Sequence, residues 1–231
     1  MNLVIDIGNT LVKTGLFEGD KLFKKEVFSV LSIQWKKTIK SKFKVIISTN
    51  GNVKDLGIKK SNSIHFLTYM SEIPLEVDYL TPQTLGYDRI ADAVGARYLC
   101  DNKNILIIDT GTAVTYDLVS ENIYKGGNIS PGLSLRYRTL NHFTASLPLG
   151  TIPEEHLLFG KSTMGAVNNG VYNGLLYEIN GTIENFMKLY DDLKVFITGG
   201  DAQFFVNKIK MPIFAEPNLA LIGLNQILKC N

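Results

Sequence analysis

The stretch LVIDIGNTLVKTGLFEGDKLFK, which begins at Leu3, returns at Leu106 as LIIDTGTAVTYDLVSENIYKGG. With an offset of 103 positions, Asp6 falls on Asp109, Gly8 on Gly111 and Asn9 on Thr112. Each copy reads as an apolar strand, a D-x-G turn, a second strand (Leu11 to Phe17; Ala113 to Val119), a polar turn (Glu18-Gly19-Asp20; Ser120-Glu121-Asn122) and a third strand. One D-x-G match is weak, since any strand followed by an Asx-type turn produces it. Two in register, each with the same hairpin behind it, point to two similarly folded halves.

Between and after the repeats, strand and helix alternate. SIQWKKTIKSKF is helical in pattern, KVIISTN and SIHFLTY are short strands, and LGYDRIADAVGARYL is a helix with Ile90, Ala93, Val94 and Arg97 on related faces. Ser162 to Tyr190 predicts a long helix whose Gly165, Gly170, Gly174 and Gly181 imply close packing or a break. KVFITGGDAQFFVNKI reads as strand, glycine turn and helix, and PNLALIGLNQIL as a closing helix opened by Pro217. The expectation is an α/β protein of two domains, 1–104 and 105–231, with mixed sheets flanking a cleft and the last helix able to pack back on the first domain.

Several function classes drop out. A net charge of +2 gives no case for nucleic acid or an anionic membrane surface. The basic run Lys36 to Lys44, flanked by Trp35 and Phe43, reads as a solvated helix face. Cys100 and Cys230 are far apart and near no CxxC pattern, which suits unpaired thiols in a reducing compartment. His65, His142 and His156 have no metal-ligand spacing, so zinc is not expected. No segment reaches the ~18 apolar residues of a membrane span. Asp6 interrupts the first apolar run, so no signal peptide is expected and the cytoplasm follows.

Two strand-end aspartates, each followed by glycine and an amide or hydroxyl, suit a nucleoside triphosphate. Glycine lets backbone N–H groups approach phosphate oxygens, and Asn9, Thr10 and Thr112 add donors. The carboxylates would hold cations that hold the phosphates. TGGDA, Thr198 to Ala202, supplies a third glycine turn, placed to contact the nucleoside. Neither a Walker A loop nor a GxGxxG fingerprint is present.

The order DIGNT, GYDR, DTGTAVTYD, GGNISPG, FTASLP and TGGDA resembles that of type III pantothenate kinases, members of the sugar kinase, actin and Hsp70 superfamily. The resemblance runs from Asp6 to the terminal LALIGL. It implies two ribonuclease H-like domains and ATP-dependent phosphorylation of pantothenate, the first step of coenzyme A synthesis. Asp6, Gly8, Asn9, Thr10 and Lys13 would form the first ATP phosphate loop, with Thr112 a further ATP contact. Asp88 matches the catalytic base. Gly86, Tyr87 and Arg89 match the pantothenate-contacting segment, and Tyr79 falls at the spacing of the substrate tyrosine. Upstream of that segment, Thr81-Pro82 stands where the family often has Asn-Pro. Asp109 matches the aspartate that binds a monovalent cation, K⁺ or NH₄⁺. Thr163 matches a substrate threonine near a dimer interface. ATP with Mg²⁺ and pantothenate are the implied partners, and a homodimer the implied assembly.

Two rivals follow from the same residues. One is a nucleotide-binding regulator without turnover, which would have no use for a general base at Asp88. The other is a kinase of the same fold acting on a sugar or other polyol. Arg89 favours an anionic substrate, because guanidinium suits a carboxylate.

Overall fold

The first apolar run forms β1 (Asn2–Ile7), which turns at Gly8 into β2 (Leu11–Glu18) and then β3 (Lys21–Ser29). The computed structural model describes residues 1–49, 51, 56–59 and 61–231. Two compact units are formed, one from Met1–Lys103, Asp117–Gly126 and Asn218–Asn231, the other from Asn104–Tyr116 and Gly127–Pro217.

In the first unit, β4 (Lys44–Thr49) and β5 (Ile64–Phe66) complete a sheet of order β3-β2-β1-β4-β5. Asn50, the last residue of the expected KVIISTN strand, lies outside the described residues. β1 runs antiparallel to β2 and parallel to β4. Strand alternation places Leu3, Ile5, Ile7, Val12, Val45 and Ile47 on one face, packed with Trp35 and Phe43. The expected helix over SIQWKKTIKSKF is only a 3-10 turn, Gln34–Thr38. Trp35 alone anchors it, and the Thr38 hydroxyl donates to the Trp35 carbonyl at 2.6 Å, competing with a further helical turn.

The opposite sheet face lies under α1 (Tyr87–Leu99) and α5 (Leu219–Cys230). These helices touch backbone to backbone. A Cβ at Gly95 would strike the Leu219 carbonyl, and one at Gly223 the Ala91 carbonyl.

In the second unit, β7 (Asn104–Thr110) lies between β8 (Ala113–Ser120) and β10 (Lys194–Thr198), with β9 (Ile123–Pro131) beyond β8 and β11 (Phe214–Ala215) beyond β10. The far half of the β8–β9 hairpin belongs to the first unit. There β6 (Glu76–Val77) pairs with Ile123 and Tyr124. The repeat is therefore structural. Asp6 stands level with Ser48 on parallel β4, and Asp109 level with Thr198 on parallel β10.

The crossover in this unit runs through α2 (Leu133–Phe143) and α3 (Thr163–Leu189) before β10, and α4 (Ala202–Phe205) follows β10. Ser162 caps α3 by accepting from the Gly165 N–H at 3.1 Å. The helix is neither broken nor tightly packed at Gly170, Gly174 and Gly181, where a Cβ would meet open space. Val167, Val171, Tyr172, Leu175, Ile179 and Ile183 bury its other face. Arg136 and Arg138 lie on α2, and Arg136 is paired with Glu178 of α3.

Candidate active site

The first unit carries a carboxylate-lined turn. Asp6 is buried at the end of β1, and Lys13 lies opposite it in the β1–β2 ladder. The Gly8 N–H donates to the Leu11 carbonyl at 3.0 Å and closes the turn. Gly8, Asn9 and Thr10 are exposed there, and Lys13 is half-buried. Backbone and side-chain donors are thus presented above a buried acid. Burial pushes the Asp6 carboxyl up to about 6, opposed by Lys13, raised further by the Asp88 charge and opposed by a hydrogen bond from Ser48.

Asp88 reaches this turn from the first turn of α1. Its Oδ1 accepts from the Arg89 N–H at 2.9 Å, and Gly86 at the N-cap leaves room that a Cβ would take from that carboxylate. Tyr87 opens the helix and is half-buried.

Arg89 points elsewhere. It is 5% exposed, and its Nε and Nη2 donate to Asp117 Oδ1 on β8 at 2.9 and 2.6 Å. Tyr124 of β9 donates its hydroxyl to the same oxygen at 2.7 Å. The Tyr79 ring lies 6.1 Å from that of Tyr124, centroid to centroid, and against Gly126, whose φ of 96° only glycine adopts readily. Burial lowers the Arg89 guanidinium pKa, but hydrogen bonds and attraction from Asp117, with help from Tyr124 and Tyr79, raise it overall. Tyr79, Asp88 and Arg89, expected together from sequence, therefore lie in one unit, with α1 sending Asp88 to Asp6 and Arg89 to Asp117. Ser48 and Tyr124 are members that sequence reasoning missed, and it gave no role to Asp117 at the end of DTGTAVTYD. A lone acid inside the apolar strand TYDLV was the available signal for Asp117.

The second unit carries the other turn. Asp109 is half-buried near the end of β7. The Gly111 N–H donates to the Ala113 carbonyl, and the Gly132 N–H to the Thr112 carbonyl, both at 3.0 Å. A Cβ at Gly199, where φ is 98°, would strike Asp109 Oδ1 and the Thr110 backbone, and one at Gly132 would strike the Gly111 carbonyl. Asp201, whose carboxyl burial pushes up, donates its N–H to the Thr110 carbonyl at 2.9 Å. The DTGT and TGGDA turns are thereby locked together, with the Thr112 side chain exposed. Thr163 stands apart from that turn in the chain, exposed at the head of α3.

Paired D-x-G turns at equivalent strand ends of two mixed α/β sheets define a fold of the ribonuclease H-like class, the architecture of sugar kinases, actin and Hsp70. Solved structures agree on the fold. A Baf family transcriptional activator from Campylobacter jejuni matches with a TM-score of 0.68 at 24% identity, covering 98% of this chain and 97% of its own. A ROK family glucokinase from Streptomyces griseus, solved with glucose and AMPPNP, matches with a TM-score of 0.51 at 10% identity, covering 100% and 99%. In sequence, the profile of the type III pantothenate kinases matches residues 44–185. The type III pantothenate kinase of Cytophaga hutchinsonii is 41% identical over 100% of both chains. That of Flavobacterium johnsoniae is 39% identical, over 98% of this chain and 96% of its own. The chain belongs to the type III pantothenate kinase family.

Proposed function

We propose that this chain transfers the γ-phosphoryl group of ATP to the primary hydroxyl of pantothenate, yielding 4′-phosphopantothenate and ADP for coenzyme A synthesis. The observation that carries the reading is the first turn of α1. Consecutive residues there present a carboxylate beside the Asp6 phosphate turn and a guanidinium beside Tyr79. Asp88 accepts the hydroxyl proton as the oxygen attacks phosphorus and the bond to the ADP oxygen breaks. Gly8, Asn9, Thr10 and Lys13 bind the ATP phosphates, with Thr112 a second nucleotide contact. Tyr79, Gly86, Tyr87 and Arg89 hold pantothenate, with Thr163.

The turn chemistry fits the cations. Asp6 and Asp88 repel each other, which raises Asp6, and a divalent cation relieves that repulsion. Mg²⁺ bound there with ATP would offset phosphate charge. Asp109 in its glycine cradle offers oxygen donors suited to K⁺ or NH₄⁺.

Exposed apolar side chains in the second unit, among them Leu135, Phe143, Leu157, Leu158, Phe159 and Met164, support a homodimer. Met164 follows Thr163 directly, which suits a substrate threonine near that interface. No helix among the described residues is long and apolar enough to cross a membrane. The proposed reaction, which draws on ATP, is the ground for proposing the cytoplasm as its compartment.

Incubating the purified chain with ATP, Mg²⁺, K⁺ and pantothenate should release ADP and 4′-phosphopantothenate in equal amounts. No ADP above the pantothenate-free background overturns the reading, and turnover with sugars in place of pantothenate reassigns the acceptor.

A further inference from the structure

A buried arginine needs an account, because an ion pair in the interior does not by itself make a fold more stable than apolar residues of the same volume. Arg89 is 5% exposed, and its partner Asp117 has no exposed surface. Three donors meet on one carboxylate oxygen: Arg89 Nε at 2.9 Å, Arg89 Nη2 at 2.6 Å and the Tyr124 hydroxyl at 2.7 Å. The Tyr124 ring lies 6.0 Å from the guanidinium carbon, close enough to favour the cation over its face. Tyr79 contributes a hydrogen bond to the same guanidinium.

This arrangement restricts orientation more than it neutralises charge. A guanidinium is a planar fork of five N–H donors, and holding its Nε edge against one oxygen fixes the plane of the whole group. The Nη1 donors lie on the other edge of that fork. Two of the three converging donors come from Arg89 and the third from the β8–β9 hairpin, so Asp117 is itself held in place by Tyr124.

We infer that Asp117, braced by Tyr124, is a positioning residue for the acceptor substrate, holding the Arg89 guanidinium so that its outer edge receives the pantothenate carboxylate. The inference rests on the assignment of Arg89 to pantothenate under the proposed function. It assigns to the β8–β9 hairpin a share in choosing an anionic acceptor, with Asp117 standing at the end of the DTGTAVTYD motif.

The test is steady-state kinetics of the full chain and its Asp117→Asn, Tyr124→Phe and Arg89→Ala variants. The acceptors are pantothenate and pantothenol, the alcohol that keeps the reacting hydroxyl and lacks the carboxylate. Asp117→Asn should raise KM for pantothenate roughly 10- to 150-fold, as loss of a well-placed charged hydrogen bond does. KM for pantothenol and for ATP should stay within about twofold, which is within the ordinary scatter of surface changes. Tyr124→Phe keeps ring and charge and should raise KM for pantothenate by roughly two- to tenfold, the range of one neutral hydrogen bond. A purely structural role would instead lower melting temperature and active fraction, reducing kcat for both acceptors alike.

If Asp117→Asn does not fold, Tyr124→Phe carries the test, and an unchanged pantothenate KM there overturns the inference. A folded Asp117→Asn with unchanged or lowered pantothenate KM overturns it too. Arg89→Ala separates the two levels. If it raises pantothenate KM while the Asp117 and Tyr124 variants do not, only the positioning role fails. If it leaves pantothenate KM unchanged, the assignment of Arg89 fails and the inference with it.

Discussion

Asp6 and Asp109 occupy equivalent places, one on β1 level with Ser48 of a parallel strand, the other on β7 level with Thr198 of a parallel strand. Their surroundings differ. Asp6 is 9% exposed, faces Lys13 across the ladder and feels a second carboxylate from α1. Asp109 is half-buried in a turn walled by Gly199, with glycine backbone where side chains would stand. The same local chain geometry thus stands in two settings: a turn electrostatically loaded by the Asp88 carboxylate, and a turn shaped sterically by close glycine backbone. The difference teaches that the strand and its D-x-G turn supply position, while the element that crosses over supplies the chemistry.

Asp88→Asn should break the comparison most, because the proposed general base lies beside the first turn. General acid–base catalysis contributes about 10²- to 10⁴-fold, so kcat should fall by that order while both KM values move little. A drop of less than about tenfold in a stably folded variant would remove Asp88 from the role of base.

Asp6→Asn comes next. Its folded pKa of about 6 lies above the ordinary 3.8, so the folded state binds the proton more tightly than the unfolded state. Stability from this group is therefore greatest below pH 3.8 and is lost as pH rises to about 6. The gap of about 2 units corresponds to about 3 kcal/mol at neutral pH. Without nucleotide or Mg²⁺, Asp6→Asn should be more stable than the parent by up to that amount at pH 8, with the advantage fading towards pH 4. Activity should be lost. Urea unfolding at the two pH values checks this, and Asp109→Asn should show a change of under about 1 kcal/mol in either direction.

The turnover of the parent enzyme should carry the same mark. At limiting ATP and Mg²⁺, kcat/KM for ATP should fall as pH drops below about 6 and Asp6 takes up its proton. A profile flat down to pH 5 would separate Asp6 from the nucleotide.

The smallest contrast is steric. Gly199→Ala meets Asp109 and the Thr110 backbone at a φ of 98° and should destabilise by about 1–3 kcal/mol. Gly8→Ala meets only the Leu11 carbonyl, at 3.3 Å, and should destabilise by less than about 1 kcal/mol, the ordinary range for a mild change. Thermal melting of the two variants side by side measures the difference.

The turns were legible in sequence because strand ends are written locally, by an apolar run closing on a carboxylate and a glycine. The hairpin tip was legible for the same reason: Glu121 and Asn122 adopt φ of 52° and 68°, as short polar turns require. Asp88 and Arg89 were found through their motif, but the pairing of Arg89 with Asp117, 28 positions on, was not, since no local pattern marks it. Of the α3 glycines taken to imply close packing or a break, Gly165 does pack closely, against Gly160, while Gly170, Gly174 and Gly181 face open space. The tight helix–helix contact is made by Gly95 and Gly223, far apart in the chain. The segment after β3 looked helical because its lysines fit a helix surface, while its apolar side chains were too few to hold one down.

The seating of α5 on the first sheet also has a temporal side. Asn2 donates to Asn225 at 2.9 Å across 223 positions, and Asn225 in turn donates to the Gly19 carbonyl at 3.0 Å. At a synthesis rate of roughly 5–20 residues per second, the strand bearing Asp6 waits on the order of ten seconds or more for the helix that covers it. One face of the first sheet thus stays open until α5 is made. Clipping off α5 would bare that sheet face again, so it should be a surface of a nascent or truncated chain that chaperones and proteases meet.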